Sequence, residues 1–186
     1  MKQGFLILFL AIIAMNLSAQ DSLKTKWSIA ADVSPYAFSG GSIKLGILPK
    51  KKPRTEFALE GFSMTIPTAV VNLNAKNSNL GWEERVNLGV AFYADKKLGA
   101  GKSGLWAGLG VVHLNQTVVQ NRTTFHYQQL EYIARLNYKW FPFTHSRFYI
   151  NPYVALAGRH KIGGDNGAYA LTPFLIIPSV YLSWEI

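Results

Sequence analysis

The chain carries four histidines, His113, His126, His145 and His160, and no cysteine. Without cysteine there is no thiolate chemistry, no disulfide and no cysteine-ligated zinc. A histidine does nucleophilic chemistry when it lies beside a hydroxyl and an acid orients it. His145-Ser146 is the one place where histidine and serine adjoin. It falls between two apolar alternating runs, in a connection, and neighbouring residues on a strand point to opposite faces. His160 with Asp165 is a weaker alternative. The histidines show no metal-ligand spacing. The expectation is therefore no catalytic, cofactor-binding or metal-binding residue, and a chain that is not an enzyme.

A second set of residues can do electrostatic work. Asp32, Lys44, Glu56, Glu60, Glu131, Arg135, Lys139 and Glu185 each alternate with apolar neighbours. On strands they would share the face opposite the apolar one. Buried charges persist when they are paired and hydrogen-bonded. These eight are expected to fill an interior as a charge network, with Arg135 and Lys139 paired to acids on neighbouring strands. A gated ion path or a catalytic carboxylate is the sharper alternative.

A third set is basic. The formal charge is +9 and the pI about 9.8. Lys50, Lys51, Lys52, Arg54, Lys96 and Lys97 fall in or beside two short connections. They suit the phosphates of anionic lipid headgroups. No nucleic-acid motif accompanies them.

The elements that must position these residues have a period of two. The clearest run sets Leu130, Tyr132, Ala134, Leu136, Tyr138 and Trp140 against Glu131, Ile133, Arg135, Asn137 and Lys139. The final run sets Val180, Leu182, Trp184 and Ile186 against Tyr181, Ser183 and Glu185. Similar runs begin near residues 27, 43, 56, 86, 104 and 148, which makes eight strands. They are joined by about 6, 4, 22, 8, 14, 7 and 17 residues, and from the second connection on, short and long alternate. One long connection, Phe62–Trp82, is unusually apolar. It reads as an extended strand, a lid over a mouth, or a partner surface.

Residues 1–19 read as a signal peptide: Lys2, then an apolar run Gly4–Met15, then Leu17-Ser18-Ala19 before a cut. The run is shorter than the roughly 20 residues that a membrane-spanning helix needs. An exported, cysteine-free chain of 49% hydrophobic and 16% charged residues can cross a membrane as a closed sheet. The fold class expected for residues 20–186 is all-β: an eight-stranded antiparallel up-and-down transmembrane barrel. The apolar faces then look outward to lipid and the charges inward. Aromatics near strand ends (Trp27, Trp82, Phe92, Tyr93, Trp106, Tyr138, Trp140, Phe148, Tyr149, Trp184) would form interfacial girdles.

Eight alternating strands, long alternate loops and the amphipathic last strand resemble the small bacterial outer-membrane barrels of the OmpA and OmpX type. GWEERVNLGV, KWFPF and FYINPY are similar to segments of that class. The last strand looks like the assembly signal of these barrels, although they usually end in an aromatic residue and this chain ends in Ile186. The resemblance implies an outer-membrane location and a monomer. The partners it implies are outer-membrane lipids and the barrel-assembly machinery during insertion. A non-enzymatic role follows, in membrane integrity or in binding through external loops, with 62–82 as the candidate partner surface. The alternatives are a lipid-modifying enzyme (deacylase- or acyltransferase-like), a narrow channel, and a secreted lipocalin-like barrel with its faces reversed. Lipid A deacylases of this class place histidine and serine close together on a strand, which THSRF does not match.

Overall fold

The computed structural model describes residues 24–143, 145–165 and 167–186. The signal-peptide reading of 1–19 lies outside these residues. Eight strands follow one another: β1 (Lys26–Asp32), β2 (Gly41–Leu48), β3 (Thr55–Ile66), β4 (Glu83–Lys97), β5 (Gly104–Gln120), β6 (Thr123–Lys139), β7 (Phe148–Gly164) and β8 (Phe174–Glu185). Two short helices interrupt them, α1 (Val33–Ala37) after β1 and α2 (Thr68–Val71) after β3. Each strand pairs antiparallel with the next, and β8 pairs with β1 to close the barrel. Closure leaves no row of unpaired backbone groups along the paired wall. The end at which β1 begins and β8 finishes is the terminal end; the other is the far end.

The two faces follow the alternation. Leu59, Phe92, Leu109, Tyr132, Leu136 and Leu156 are among the large apolar side chains exposed on the outside. Lys44, Glu56, Glu60, Glu131, Arg135 and Lys139 are buried inside. A lipocalin-like barrel would reverse this arrangement, so that alternative is set aside.

Three sequence expectations are corrected. The connection between β5 and β6 is a two-residue hairpin, Asn121-Arg122, not a loop of about 14 residues. Both residues have positive φ, 48° and 65°, as a turn matched to strand twist requires. Both strands instead run on for 17 residues. On β4 the register slips between Val86 and Leu88. This bulge puts Val86 inside and Asn87 outside, opposite to their expected faces. Finally, Trp82, Tyr93, Trp106 and Tyr149 are buried and form no girdle. Trp27, Phe92, Tyr138 and Trp140 are exposed.

Two inward glycines show how a narrow bore makes room. A Cβ on Gly108 would sit 1.8 Å from Asp95 Oδ1, and one on Gly110 would sit 2.4 Å from the Tyr93 ring. The missing side chains on β5 are the space that Asp95 and Tyr93 occupy.

Candidate functional site

The inward residues of β6 map the bore from the terminal end upward: Lys139, Asn137, Arg135, Ile133, Glu131, Gln129 and Tyr127. Each inward position lies about 6–7 Å above the last along the strand. The charges therefore form two layers with an apolar belly between them.

The lower layer starts with Lys139, which is bonded to Glu56 of β3. Its ammonium lies 4.3 Å from the Trp106 ring and 5.1 Å from the Tyr149 ring. Above it, Arg135 meets Asp95 of β4 through two bonds, Nε to Oδ1 at 2.9 Å and Nη2 to Oδ2 at 2.5 Å. The guanidinium stacks 3.6 Å from the Tyr93 ring centroid. Lys44 faces Glu60 across the β2–β3 ladder and lies 3.9 Å from the Tyr181 ring. The hydroxyl of Tyr181 donates to Glu60 at 2.7 Å. Asp32 accepts from Tyr153 at 2.6 Å, from Ser179, and from the Ser34 backbone at 3.0 Å, which caps α1.

In the upper layer Arg159 bridges two acids, Glu131 at 2.9 Å and Glu84 at 3.0 Å. Gln116 donates to Glu84 at 2.7 Å, and the Tyr169 phenol also donates to it. Tyr169 belongs to the 165–173 connection. Burial, and then the Glu84 charge, push its phenol above the ordinary value. It therefore stays a proton donor.

The bore thus holds six acids (Asp32, Glu56, Glu60, Glu84, Asp95, Glu131) and four bases (Lys44, Arg135, Lys139, Arg159) among the described residues. Hydroxyl donors make up part of the difference at Asp32 and Glu60. Seven of the eight residues singled out from the sequence lie buried in this bore. Glu185 is half-buried at the terminal rim, opposite Ser28 in the closing ladder. Arg135 and Lys139 reach acids on β4 and β3, across the bore, rather than on their immediate neighbours β5 and β7. Sequence reasoning missed Glu84, Asp95 and Arg159. The alternation already running through Ala91 and Tyr93 would have reached Asp95, and that through Ala155 and Ala157 would have reached Arg159. Glu84 was hidden by the bulge.

A cap closes the far end. Val71, Trp82, Val118, Tyr127 and Tyr169 are buried together. The Trp82 and Tyr169 rings meet edge-on with centroids 5.4 Å apart. The 67–82 segment is clasped to the 165–173 connection by Asn77. Its amide donates to Ala170 O at 2.7 Å and accepts from Ala170 N at 2.9 Å. Asn74 adds bonds to Ala170 O and Leu171 O. Of the three readings of 62–82, β3 extends to Ile66 and the remainder folds over the mouth.

The histidines form no catalytic cluster among the described residues. Ser146 Oγ accepts from the Phe148 backbone at 2.9 Å, while its carbonyl accepts from Lys102. Asp165 bonds the backbone N–H of His126 at 2.7 Å rather than an imidazole. His126 Nδ1 lies 3.4 Å from Thr117 Oγ1 on the exposed outer wall, and that hydroxyl also accepts from Asn87 at 2.7 Å. No group of three or more metal-binding side chains occurs among the described residues. Lys50, Lys51, Lys52, Arg54 and Lys96 are exposed, and Lys97 half-exposed, at the terminal rim.

No family model matches the chain, and no curated protein does. Among solved structures it is similar to the N-terminal β-barrel domain of Pseudomonas aeruginosa OprF. The TM-score is 0.54 at 10% identity, over 87% of this chain and 96% of that one. Neisserial surface protein A (NspA) aligns with a TM-score of 0.47 at 8% identity, over 87% and 91%. The fold is that of the small eight-stranded outer-membrane barrels.

Proposed function

We propose that this chain is a non-enzymatic barrel of a bacterial outer membrane, closed to ions, which acts through its lipid-facing wall and its rigid far-end cap. The two charged layers that cross the bore carry this reading. The bidentate Arg135–Asp95 pair and the Glu84–Arg159–Glu131 bridge span the interior. Water and ions would have to break buried, charge-assisted bonds to pass. The barrel therefore serves membrane integrity and presents a surface, rather than conducting.

In this reading the terminal end is periplasmic and the cap external. The basic terminal rim, with Lys50, Lys51, Lys52, Arg54, Lys96 and Lys97, rests on anionic headgroups of the inner leaflet. Above, Leu73 and Leu80 stay exposed on the cap, where they offer apolar contact to a partner. Conductance tests the closed state. Purified protein inserted in a planar bilayer is expected to give no unitary current steps at 100 mV in molar salt. Reproducible steps from the folded, heat-shifting form would overturn the reading.

A further inference from the structure

Between the two charged layers the bore holds a cavity of about 380 Å³. That is the small end of the range for ligand pockets, about 300–1,000 Å³. Met64, Val112, Leu114, Ile133 and Leu175 line its wall. The cavity also touches the outward residues Ile176 and Pro178. From β3 to β7 only inward residues line the cavity, whereas β8 adds these two outward ones, which points to the edge of β8 as the place where it opens.

The ladder explains the free edge. β1 pairs with β8 only from Ser28↔Glu185 to Asp32↔Tyr181. Beyond Asp32 the chain turns into α1, while β8 continues to Phe174. Pro178 lies on this stretch and has no N–H to leave unpaired. Ser34 of α1 is tied to Ser179 of β8 by a 2.5 Å hydroxyl contact, and Phe38 lines the cavity just beyond α1. The gap faces the apolar outer band, because Phe174 and Ile176 are each 68% exposed there.

We propose that this cavity takes in one hydrocarbon chain of a lipid from the surrounding membrane, through a side mouth between α1 and the free edge of β8. The wall between the layers is apolar, and the charges that touch the cavity at its two ends, Glu60, Arg135, Glu131 and Arg159, are already bonded to one another or to protein partners. This favours an apolar guest, the volume excludes a whole lipid, and the mouth is continuous with the lipid-facing wall. The layers at Arg135 and Arg159 bound the depth the chain can reach. Uptake does not depend on whether the bore conducts.

The test uses the full mature chain in phosphatidylethanolamine–phosphatidylglycerol vesicles. These contain phosphatidylcholine with a photoactivatable diazirine at the end of one acyl chain. After irradiation, mass spectrometry maps the adducts. Adducts are expected on inward Met64, Leu114 or Leu175 as well as on outward Leu109 and Leu136. Ala155→Phe, which fills the cavity, is expected to reduce the inward adducts at least tenfold and spare the outward ones. Val86→Phe fills the opposite wall and serves if Ala155→Phe loses its heat-dependent gel shift. Wild-type adducts confined to the outer wall would overturn the proposal. So would inward adducts that persist in a correctly folded filling variant.

Discussion

Arg135 carries a full positive charge at 4% exposure, and Asp95 accepts two of its N–H bonds. Removing one partner leaves the other charge buried without compensation, which costs about 3–5 kcal/mol. Asp95→Ala is therefore expected to lower the unfolding free energy by that amount, seen as a lower urea midpoint read by the gel shift. The double change Asp95→Ala with Arg135→Met should recover most of the loss, because an apolar side chain needs no counter-charge. A double variant no better than the single would mean that the pair is not the source of the effect. Gly108 probes the same place sterically. An added Cβ meets Asp95 Oδ1 at 1.8 Å and Ala94 O at 3.0 Å, whereas one at Gly61 meets nothing within 4 Å. Gly108→Ala should destabilise and Gly61→Ala should not, with the same urea midpoint separating them.

At the scale of elements, the two segments of the cap are held to each other by the side-chain bonds of Asn74 and Asn77. Asn77 is fully buried and supplies two of them to Ala170. Asn77→Ala removes both and leaves the Ala170 amide groups without that partner, a local cost of about 1–3 kcal/mol. The loss should fall on the clasp and not on the ladders. Limited proteolysis is expected to nick 72–82 or 165–173 much faster in the variant, while the heat-dependent gel shift is unchanged. Equal nicking rates would show that the clasp does not hold the cap. The same division explains what the sequence made legible. β6 could be read because six outward residues, Leu130 to Trp140, alternate without a break. The upper half of the β5–β6 hairpin could not. Above an apolar band the outward residues are polar, so Asn115, Thr117, Thr124, His126 and Gln128 read as loop. The bulge at Val86 and Leu88 inserts one residue, and no local pattern announces it. The bore charges were readable as a face, but their pairing was not. Lys139 and Glu56 stand 83 residues apart and meet only when the sheet closes.

For the whole molecule, the sorting of side chains makes sense in only one solvent arrangement. Charges are paired inside, and large apolar groups are left exposed around the wall. In water, an apolar band of that extent would drive association; in a bilayer it is the matched surface. Depth across the band therefore sets the cost of an outward charge. Leu136 is 48% exposed and lies midway along the outward run of β6 from Leu130 to Trp140. Arginine at the middle of a bilayer costs about 2–4 kcal/mol on a barrel's outer face, and about 0–1 near the interfaces. Gln128, exposed on the same strand above the run, supplies the control. In phosphatidylcholine vesicles Leu136→Arg is expected to lose about 2–4 kcal/mol of unfolding free energy, and Gln128→Arg less than about 1. The ratio matters more than either value. Both chains carry the same added charge on the same strand, so only depth in lipid distinguishes them. Equal losses at the two positions would mean that the outer wall is not immersed, and the membrane reading of the whole barrel would fall with it.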